Sequence, residues 1–487
     1  MQKKLIFIFF LIISGIVYFT NYWYPDGLFW DENYHIASAQ KYIDGVFFME
    51  PHPPLGKQLI AVGEKIFNIF GLNKGIDKSY FNNTDYITSV PQNFSFAGFR
   101  FASTLFGMLA AIMFFLIVKT LFKNEIFALL FASFYLFDNA ITMHSRSAML
   151  EGIQLFFVLL SIFYFLKIIE KDKRSIKEYF ILGIFSGLAI AVKLNSAILL
   201  LLFVFLVWED YENEILKLSF SLNILKDFSL KTLISIAGII LPLFISFYFH
   251  FAICKNVLDG RTYNASNKYR EILLQEETAN PLHFFTMLSD YIKYIDRYEK
   301  GVPKWDPTKV GENGSPAFMW PFGYKSINYR WTKWRGVVAY MYLQGNPLVW
   351  LLGLIGVILS FVFLTGKVFF NITINEKKRF KMITYFSILY FSYMFAMLRI
   401  ERVMYLYHYF IALTFSFILF SLIFVEFFKN YIDRNDKLTL TLASLMAIEI
   451  VAVFLFYSPF TYYIPLDSIQ FMQRVWSKVW GLVPITY

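Results

Sequence analysis

The sequence predicts an all-α polytopic membrane protein. Of its 487 residues, 57% are hydrophobic and 21% aromatic, whereas only 16% are charged. The mean hydropathy is +0.51, and apolar runs of about 20 residues, the length that crosses a bilayer as a helix, recur along the chain. A soluble domain of this composition would expose large apolar patches, so we exclude a soluble fold.

The formal net charge of +10 does not indicate a nucleic-acid partner. The lysines and arginines lie mainly in short segments between apolar runs, where the positive-inside rule and anionic lipid headgroups account for them. We therefore predict membrane lipids, and no nucleic acid, as their partners. Cys254 is the only cysteine in the sequence, which excludes an intramolecular disulfide, an iron–sulfur cluster and a cysteine-based zinc site.

The N-terminus resembles a signal peptide that is not cleaved. Lys3 and Lys4 precede an apolar stretch over residues 5–19, and no small-x-small cleavage site comes before Asn21. The positive-inside rule places both lysines in the cytoplasm. The residues after Thr20 are then expected outside the cytoplasm.

Further membrane spans are predicted from apolar runs over residues 99–121, 126–143, 149–168, 233–253, 337–365, 382–398, 403–425 and 438–457. The run 179–208 is too long for one span and is interrupted by Lys193. Reading it as a hairpin of two short spans, with Lys193 at the outer tip, keeps the basic cluster at 367–381 in the cytoplasm and gives about eleven spans.

This topology predicts one membrane domain, residues 1–487, with every candidate polar cluster on its extracytoplasmic face. Two long segments, 21–98 and 254–336, lie outside the membrane. Residues 337–487 form a four-span C-terminal region with an external tail. No internal repeat or low-complexity linker is visible in the sequence.

The first external segment carries two adjacent acids, Asp31 and Glu32. Trp30 before them and Tyr34 after them indicate an aromatic interfacial setting, where partial desolvation raises the basicity of a carboxylate. The pair is therefore a candidate catalytic site. The alternative is that both acids are the N-terminal charges of a short surface helix.

A second motif follows, in which Glu50 precedes a His-Pro-Pro turn that starts at His52, and Lys57 comes three residues after the turn. Each proline fixes its own φ and restricts the residue before it, so the turn is expected to be rigid. Lys57 begins an apolar segment and is either a site residue or a snorkelling interfacial lysine.

Charged residues near the ends of later spans face the same side of the membrane in the predicted topology. They are Arg100, Asp138, Arg146, Glu151 and Lys193. A charge inside an apolar run costs about 2.5–3.5 kcal/mol on insertion scales, so Glu151 is expected to have a partner such as Arg146 or to face a wet cavity. Together with Lys57, the cationic members suit a pocket for a phosphate. Taken singly, each is more often an interfacial anchor.

We predict no metal site and no cofactor. The six histidines lack the paired spacing of zinc ligands, and the sequence has no Asp-x-Asp run. Walker and dinucleotide-binding glycine patterns are absent as well. A soluble nucleotide sugar held by a metal ion is therefore not the expected donor.

These motifs resemble those of the protein O-mannosyltransferase family, which are polyprenyl-phosphate-sugar-dependent glycosyltransferases with the GT-C fold. The family's first-loop signature is Asp-Glu, Tyr-Ile-x-Gly-x-Phe and His-Pro-Pro-Leu-Gly-Lys, and it aligns without a gap onto Asp31-Glu32, Tyr42 to Phe47 and His52 to Lys57. The arginine that opens the next span corresponds to Arg100. Further matches cover most of the chain: Asp138-Asn139, Ser145-Arg146, Leu150-Glu151, Gly187 to Lys193, Trp320-Pro321, Gly345-Asn346-Pro347, Tyr407-His408-Tyr409 and Ser458 to Pro465.

The resemblance implies an inverting enzyme that moves a hexose, expected to be mannose, from a dolichyl- or undecaprenyl-type phosphate carrier to Ser or Thr hydroxyls of exported proteins. It points to Asp31 as the catalytic base that takes the acceptor proton, and we expect Glu32 to orient the acceptor or to assist catalysis. The residues expected to bind the carrier phosphate or the substrate are Lys57, Arg100, Arg146, His52 and Lys193. Glu50, Asp138 and Glu151 are expected to support them. A dimer is one expected form of the enzyme.

Several positions depart from the family pattern. Asn33-Tyr34-His35 replaces the usual histidine and phenylalanine after Asp-Glu, and Glu151 replaces an aspartate. The segment 254–336 is too short for the β-trefoil domain that eukaryotic members insert there. A compact, prokaryote-like member is therefore expected, in a plasma membrane, or in the endoplasmic reticulum membrane if the host is eukaryotic, with the site on the extracytoplasmic or lumenal side.

Two alternatives remain open. One is transfer to a lipid or glycan acceptor, as in the related lipid A aminoarabinose transferases. The other is a transporter or flippase for lipid-linked sugars, which would place polar residues near mid-membrane in broken helices and show repeated halves.

Overall fold

The computed structural model describes residues 2–122, 124–433 and 437–485. Helices form most of this part of the chain: α1 (Gln2–Phe19), α2 (Glu32–Asp44), α3 (Leu55–Ile69), α4 (Ser79–Asn82), α5 (Ala97–Phe122), α6 (Glu125–Leu136), α7 (Asn139–Ser145), α8 (Glu151–Ile169), α9 (Ile176–Val192), α10 (Leu200–Lys217), α11 (Leu222–Ile253), α12 (Asn267–Leu274), α13 (Phe284–Gly301), α14 (Pro347–Phe370), α15 (Lys377–Leu398), α16 (Phe410–Asp433), α17 (Lys437–Tyr462) and α18 (Ser468–Met472). The strands β1 (Asn328–Trp334) and β2 (Val337–Tyr342) form an antiparallel hairpin.

Among the described residues, eight helical segments are long and apolar enough to cross a membrane. They are α5, α8, α10 with the turn before it, α11, α14, α15, α16 with the turn before it, and α17. The bent pair α6 and α7 adds a ninth if it is counted as one span. The polytopic α-helical class is thus confirmed. The number eleven also requires α1 and α9 to span, and it stays a prediction.

The described chain forms two compact units. The first-loop unit comprises Asn21–Ala110 and Ser145–Pro303, and the C-terminal unit comprises Met1–Thr20, Ala111–His144 and Lys304–Tyr487. The description of residues 1–487 as a single membrane domain stays a prediction. The candidate site residues other than Asp138 lie in the first-loop unit.

In the C-terminal unit, the predicted span 126–143 is broken. Helix α6 ends at Leu136, and α7 begins at Asn139 after a bend of 64°. The Asp138 carboxylate accepts a hydrogen bond of 2.8 Å from the backbone N–H of Ile141, which lies in the first turn of α7. A buried acid that caps a new helix explains why one apolar run becomes two helices.

The predicted span 337–365 was wrong over its first residues. Val337–Tyr342 is strand β2, and its partner β1 is reached through the two-residue turn Arg335-Gly336, where φ is 40° and 87°. Two successive residues with positive φ are typical of the tight hairpin turns that match strand twist. Because β2 packs in a core with Phe460 and Phe471, its residues are as apolar as those of the helix that follows. Hydropathy alone does not distinguish strand β2 from the helix that follows it.

In the first-loop unit, the interruption predicted at Lys193 is present. Helix α9 ends at Val192, Lys193 has an extended backbone with φ of −155° and ψ of 130°, and a short 3-10 turn, Leu194–Leu199, leads into α10. Helix α9 packs closely along α11, because a Cβ on Gly183 would lie 2.7 Å from the backbone oxygen of Ser235. This packing fixes the end of α9, and with it the position of Lys193.

Candidate active site

The acid pair lies where α2 begins. Glu32 is the first residue of α2, and Asp31 is its N-cap, although the Asp31 side chain does not cap the helix. Trp30, directly before the pair, has a left-handed φ of 53°. A bulky residue rarely adopts this conformation, and such backbone outliers cluster at functional sites. The entry into α2 therefore directs the chain so that Asp31 does not serve as an ordinary helix cap.

Glu32 forms a fully buried ion pair with Arg100, since both side chains are 0% exposed. Glu32 accepts hydrogen bonds of 2.7 Å from Nε and 2.9 Å from Nη2 of Arg100. The remaining guanidinium donors bind the backbone oxygens of Trp23, Pro25 and Gly27. Arginine has five N–H donors, and these contacts use all five. We therefore revise the predicted phosphate contact of Arg100 to a role in positioning the first loop.

Glu32 and His35 together hold the peptide group of Ala148. Glu32 Oε1 accepts from the Ala148 N–H at 2.9 Å, and His35 Nδ1 lies 2.9 Å from the Ala148 oxygen. A carbonyl only accepts, so Nδ1 carries the proton of His35. One residue further on, the Ser103 hydroxyl donates to the Met149 oxygen at 2.6 Å. The segment that contains buried Arg146 is thus fixed to α2 and α5.

The His-Pro-Pro turn places Lys57 in the first turn of α3, which begins directly after Pro54. Lys57 and Glu50 form an ion pair whose side chains are 3% and 5% exposed. Burial lowers the pKa of the Lys57 ammonium, and the charge of Asp31 opposes that shift. The structure thus places the Lys57 ammonium within electrostatic reach of the Asp31 carboxylate.

Gly56 is the point where three segments meet. A Cβ at this position would lie 2.7 Å from a Leu150 methyl carbon and 3.1 Å from a Val192 methyl carbon. The residues directly after Gly56, Leu150 and Val192 in the sequence are the charged residues Lys57, Glu151 and Lys193. Lys193 Nζ lies 2.5 Å from Glu151 Oε1, so two lysine–glutamate pairs lie close to one another. A Cβ at position 56 would force the Leu150 side chain to move.

His52 and Asp138 have other surroundings. His52 is half-buried, and its backbone oxygen accepts a hydrogen bond of 3.3 Å from the Tyr291 hydroxyl. Asp138 is fully buried in the C-terminal unit, where it accepts from the backbone N–H of Asn346 at 3.0 Å and from Trp350 Nε1 at 2.7 Å. These bonds connect the start of α14 to the break before α7, and the supporting role of Asp138 in the site stays a prediction.

The sequence interpretation missed His35 and Lys41. Burial, with the charge of Lys57 as the next cause, lowers the pKa of the His35 imidazole well below its usual range, so the ring is neutral at pH 7. His35 follows Asp31 by four residues, which puts both on one face of α2. This spacing is the sequence pattern that could have indicated His35 as a site residue. Lys41 is 1% exposed and pairs with Asp85, a partner distant in sequence. No local sequence pattern predicts the ion pair between Lys41 and Asp85.

The first-loop unit therefore combines a carboxylate, Asp31, with three buried cations, Lys57, Arg146 and Lys193. Such an arrangement suits proton removal beside an anion-binding pocket. Among residues 2–122, 124–433 and 437–485, no three His, Cys, Asp or Glu side chains come together as metal ligands do. The metal-free reaction stays a prediction.

Comparison with known proteins agrees with this architecture. The fold matches that of the Saccharomyces cerevisiae protein O-mannosyltransferase Pmt1-Pmt2 complex bound to the sugar donor, with a TM-score of 0.79 over 99% of this chain and 93% of that chain, at 15% identity. The Archaeoglobus fulgidus oligosaccharyltransferase in the apo form matches with a TM-score of 0.51 over 99% of this chain and 60% of that chain, at 13% identity. The chain is therefore a polytopic membrane protein with the GT-C fold.

The family follows from the sequence matches. Residues 8–258 match the dolichyl-phosphate-mannose-protein mannosyltransferase family, and residues 305–480 match the C-terminal four-transmembrane region of protein O-mannosyltransferases. This chain belongs to that family, as its motifs had indicated.

Individual relatives match over shorter stretches. Protein O-mannosyl-transferase 2 of Drosophila melanogaster is 30% identical over 189 residues, which is 37% of this chain and 23% of that protein. Dolichyl-phosphate-mannose–protein mannosyltransferase 4 of Candida albicans is 25% identical over 61% of this chain and 40% of that protein. The chain thus spans less than half the length of these curated relatives.

Proposed function

We propose that this chain transfers mannose from a polyprenyl-phosphate carrier to Ser or Thr hydroxyls of exported proteins, with inversion at the sugar carbon. The observation that carries the proposal is the charge interaction between Asp31 and the buried ammonium of Lys57, in a chain of this family. The names of the relatives, which include dolichyl-phosphate-mannose–protein mannosyltransferases, support the sugar and the carrier. A dimer is part of the proposal, supported by the two-chain complex of the yeast proteins.

The mechanism needs a base and an anion pocket. A hydroxyl has a pKa far above 7, so Asp31 takes its proton as the hydroxyl oxygen attacks the sugar carbon. The bond between that carbon and the phosphate oxygen breaks, and the electron pair stays on the phosphate. The leaving group is already an acceptable anion, so it needs charge neutralisation and no proton. Lys57, Arg146 and Lys193 supply that positive charge.

Glu32 and Arg100 act indirectly in this mechanism. Their buried pair fixes the first loop, and Glu32 also holds the Ala148 peptide that follows Arg146. These contacts thereby fix the position of Asp31, directly before Glu32, and of Arg146, two residues before Ala148. Neither Glu32 nor Arg100 touches the substrate in the proposed mechanism.

The assay is transfer of radiolabelled mannose from polyprenyl-phosphate mannose to a Ser/Thr-rich peptide by the purified full chain in detergent. Transfer that persists in EDTA is expected, because the proposed charge neutralisation uses side chains alone. Failure of well-folded protein with several carriers, sugars and peptides contradicts the proposal. Transfer to a lipid acceptor in place of the peptide favours the aminoarabinose-transferase-like alternative.

Substitution of Arg146 tests the phosphate pocket. Arg146→Lys replaces a planar bidentate donor by a point charge, so we expect the Kd for the sugar donor to rise by about tenfold, the effect of losing one charge-assisted hydrogen bond. Arg146→Ala is expected to weaken donor binding further while the protein still folds. Donor titration by filter binding measures both effects. Wild-type turnover of Arg146→Ala at limiting donor would make Arg146 a structural residue.

Labelling tests the proposed orientation in the membrane. In a Cys254→Ser background, a cysteine at exposed Lys304 is expected to react with a membrane-impermeant maleimide from the extracytoplasmic side. A cysteine at exposed Lys171 is expected to react only after the membrane is opened. The reverse pattern contradicts the extracytoplasmic location of the site.

A further inference from the structure

Two cations of the donor pocket have acidic partners, which an anion-binding site does not need. Glu50 pairs with Lys57, and Glu151 pairs with Lys193. All four side chains are at least nine-tenths buried. A pocket of cations alone would attract a phosphate more strongly, because each carboxylate repels it. The two acids therefore lower the affinity of the pocket for anions.

The two buried pairs carry little net charge. Glu50 offsets the charge of Lys57, and Glu151 offsets the charge of Lys193. The positive charge that the two lysines present to a phosphate is therefore small, which matters for the two phosphates that occupy the pocket during the reaction.

The inference rests on the proposed function, in which the reaction changes the charge of the carrier. The donor phosphate is a diester with one negative charge. Transfer forms the bond from the acceptor oxygen to the sugar carbon, breaks the bond to the phosphate oxygen, and moves the acceptor proton to Asp31. The product is a phosphate monoester, which carries about −1.5 to −2 charges at pH 7. Asp31 then returns its proton to solvent and is again an anion.

A strongly cationic pocket would therefore hold the product more tightly than the donor and would stay blocked after one turnover. We propose that Glu50 and Glu151 act as counter-charges that make the pocket favour the singly charged donor and release the more highly charged carrier phosphate. They are specificity-determining residues for the phosphate, and they do not take part in the chemical step.

The test compares the two lipids on one variant. Glu151→Gln removes a negative charge from the pocket. The attraction between the pocket and a lipid phosphate then increases in proportion to the charge of that phosphate. We expect donor affinity to rise by about threefold and polyprenyl-phosphate affinity by about five- to tenfold, as the Coulomb law requires for ligands of one and nearly two charges. Binding is measured with the purified full chain in nanodiscs at pH 7.5. Steady-state turnover is expected to fall while single-turnover transfer is kept, because release becomes slow.

Two further variants make the result specific. Glu178→Gln removes a carboxylate paired with Lys171 at the opposite end of α9 and is expected to change neither affinity. The double variant Glu151→Gln, Lys193→Gln restores the net charge, so its ratio of product to donor affinity is expected to return to the wild-type value. Gel filtration and thermal unfolding check that each variant is folded.

The outcomes separate this inference from the proposed function. Equal gains for both lipids, or weaker product binding, in folded Glu151→Gln overturn the counter-charge role even if mannose transfer is normal. If the double variant keeps the altered ratio, a specific contact of Glu151, and not net charge, sets the preference, which also overturns the inference. Wild-type protein that binds neither lipid contradicts the proposed function itself.

Discussion

Asp31→Asn is expected to lower turnover by about 10²–10⁴-fold, the usual contribution of a general base. The substitution keeps the size of the side chain and most of its hydrogen bonds but removes the charge and the basic oxygen that takes the acceptor proton. Because the Asp31 side chain does not cap α2, the helix itself is expected to form normally. Donor affinity should change little, and the radiolabelled transfer assay with a filter-binding measurement of the donor separates the two quantities.

A matched control is available on the same helix. Asp44 lies at the other end of α2, is exposed, and accepts hydrogen bonds from Gln40 at 2.8 Å and Asn82 at 2.7 Å. Asp44→Asn removes the same charge from the same element and is expected to leave turnover close to wild type. Near wild-type transfer by Asp31→Asn would remove Asp31 as the base and direct attention to another acid of the first-loop unit.

The membrane class was predictable because hydrophobic composition and span length depend on local sequence. The break at Lys193 was also visible, since a lysine within a long apolar run is costly to bury. Strand β2 was not predictable in this way, because Val337–Tyr342 is as apolar as a helix and its identity depends on pairing with β1. The same limit applies to the bonds of Asp138 with Asn346 and Trp350, because these partners lie far away along the chain.

For the candidate site, the sequence predicts a set of residues but not the contacts that each one makes. Arg100 and Lys57 are both basic residues near apolar runs, and the sequence predicts the same role for both, binding of the carrier phosphate or the substrate. The structure separates them, because Arg100 uses its donors on Glu32 and on three backbone oxygens, whereas Lys57 lies within electrostatic reach of Asp31. These partners come from segments distant along the chain. Only the folded arrangement shows this difference between Arg100 and Lys57.

The pair of Glu32 and Arg100 leads to a second large expected effect, on stability. Arg100→Leu leaves the Glu32 carboxylate buried without its cation and leaves the backbone oxygens of Trp23, Pro25 and Gly27 without their donors. Removal of one partner of a buried ion pair costs about 3–5 kcal/mol. Since folded proteins are stable by about 5–15 kcal/mol, we expect a much lower unfolding temperature, poor yield and no detectable transfer. Unfolding in detergent, followed by gel filtration after heating, measures the change.

Controls separate this positioning role from the phosphate contact that sequence had suggested for Arg100. Lys171→Met breaks an exposed ion pair with Glu178 in the same unit and is expected to change the free energy of unfolding by less than about 1 kcal/mol. The double variant Glu32→Leu, Arg100→Met removes both buried charges and is expected to recover only the part of the lost stability that comes from the unpaired Glu32 carboxylate, because the three backbone oxygens still lack their donors. Its donor affinity should remain reduced, since the Ala148 N–H loses its Glu32 acceptor and Arg146 is less firmly held. If Arg100→Leu instead unfolds like the wild type and fails only to bind donor, Arg100 contacts the phosphate, and the positioning role is wrong.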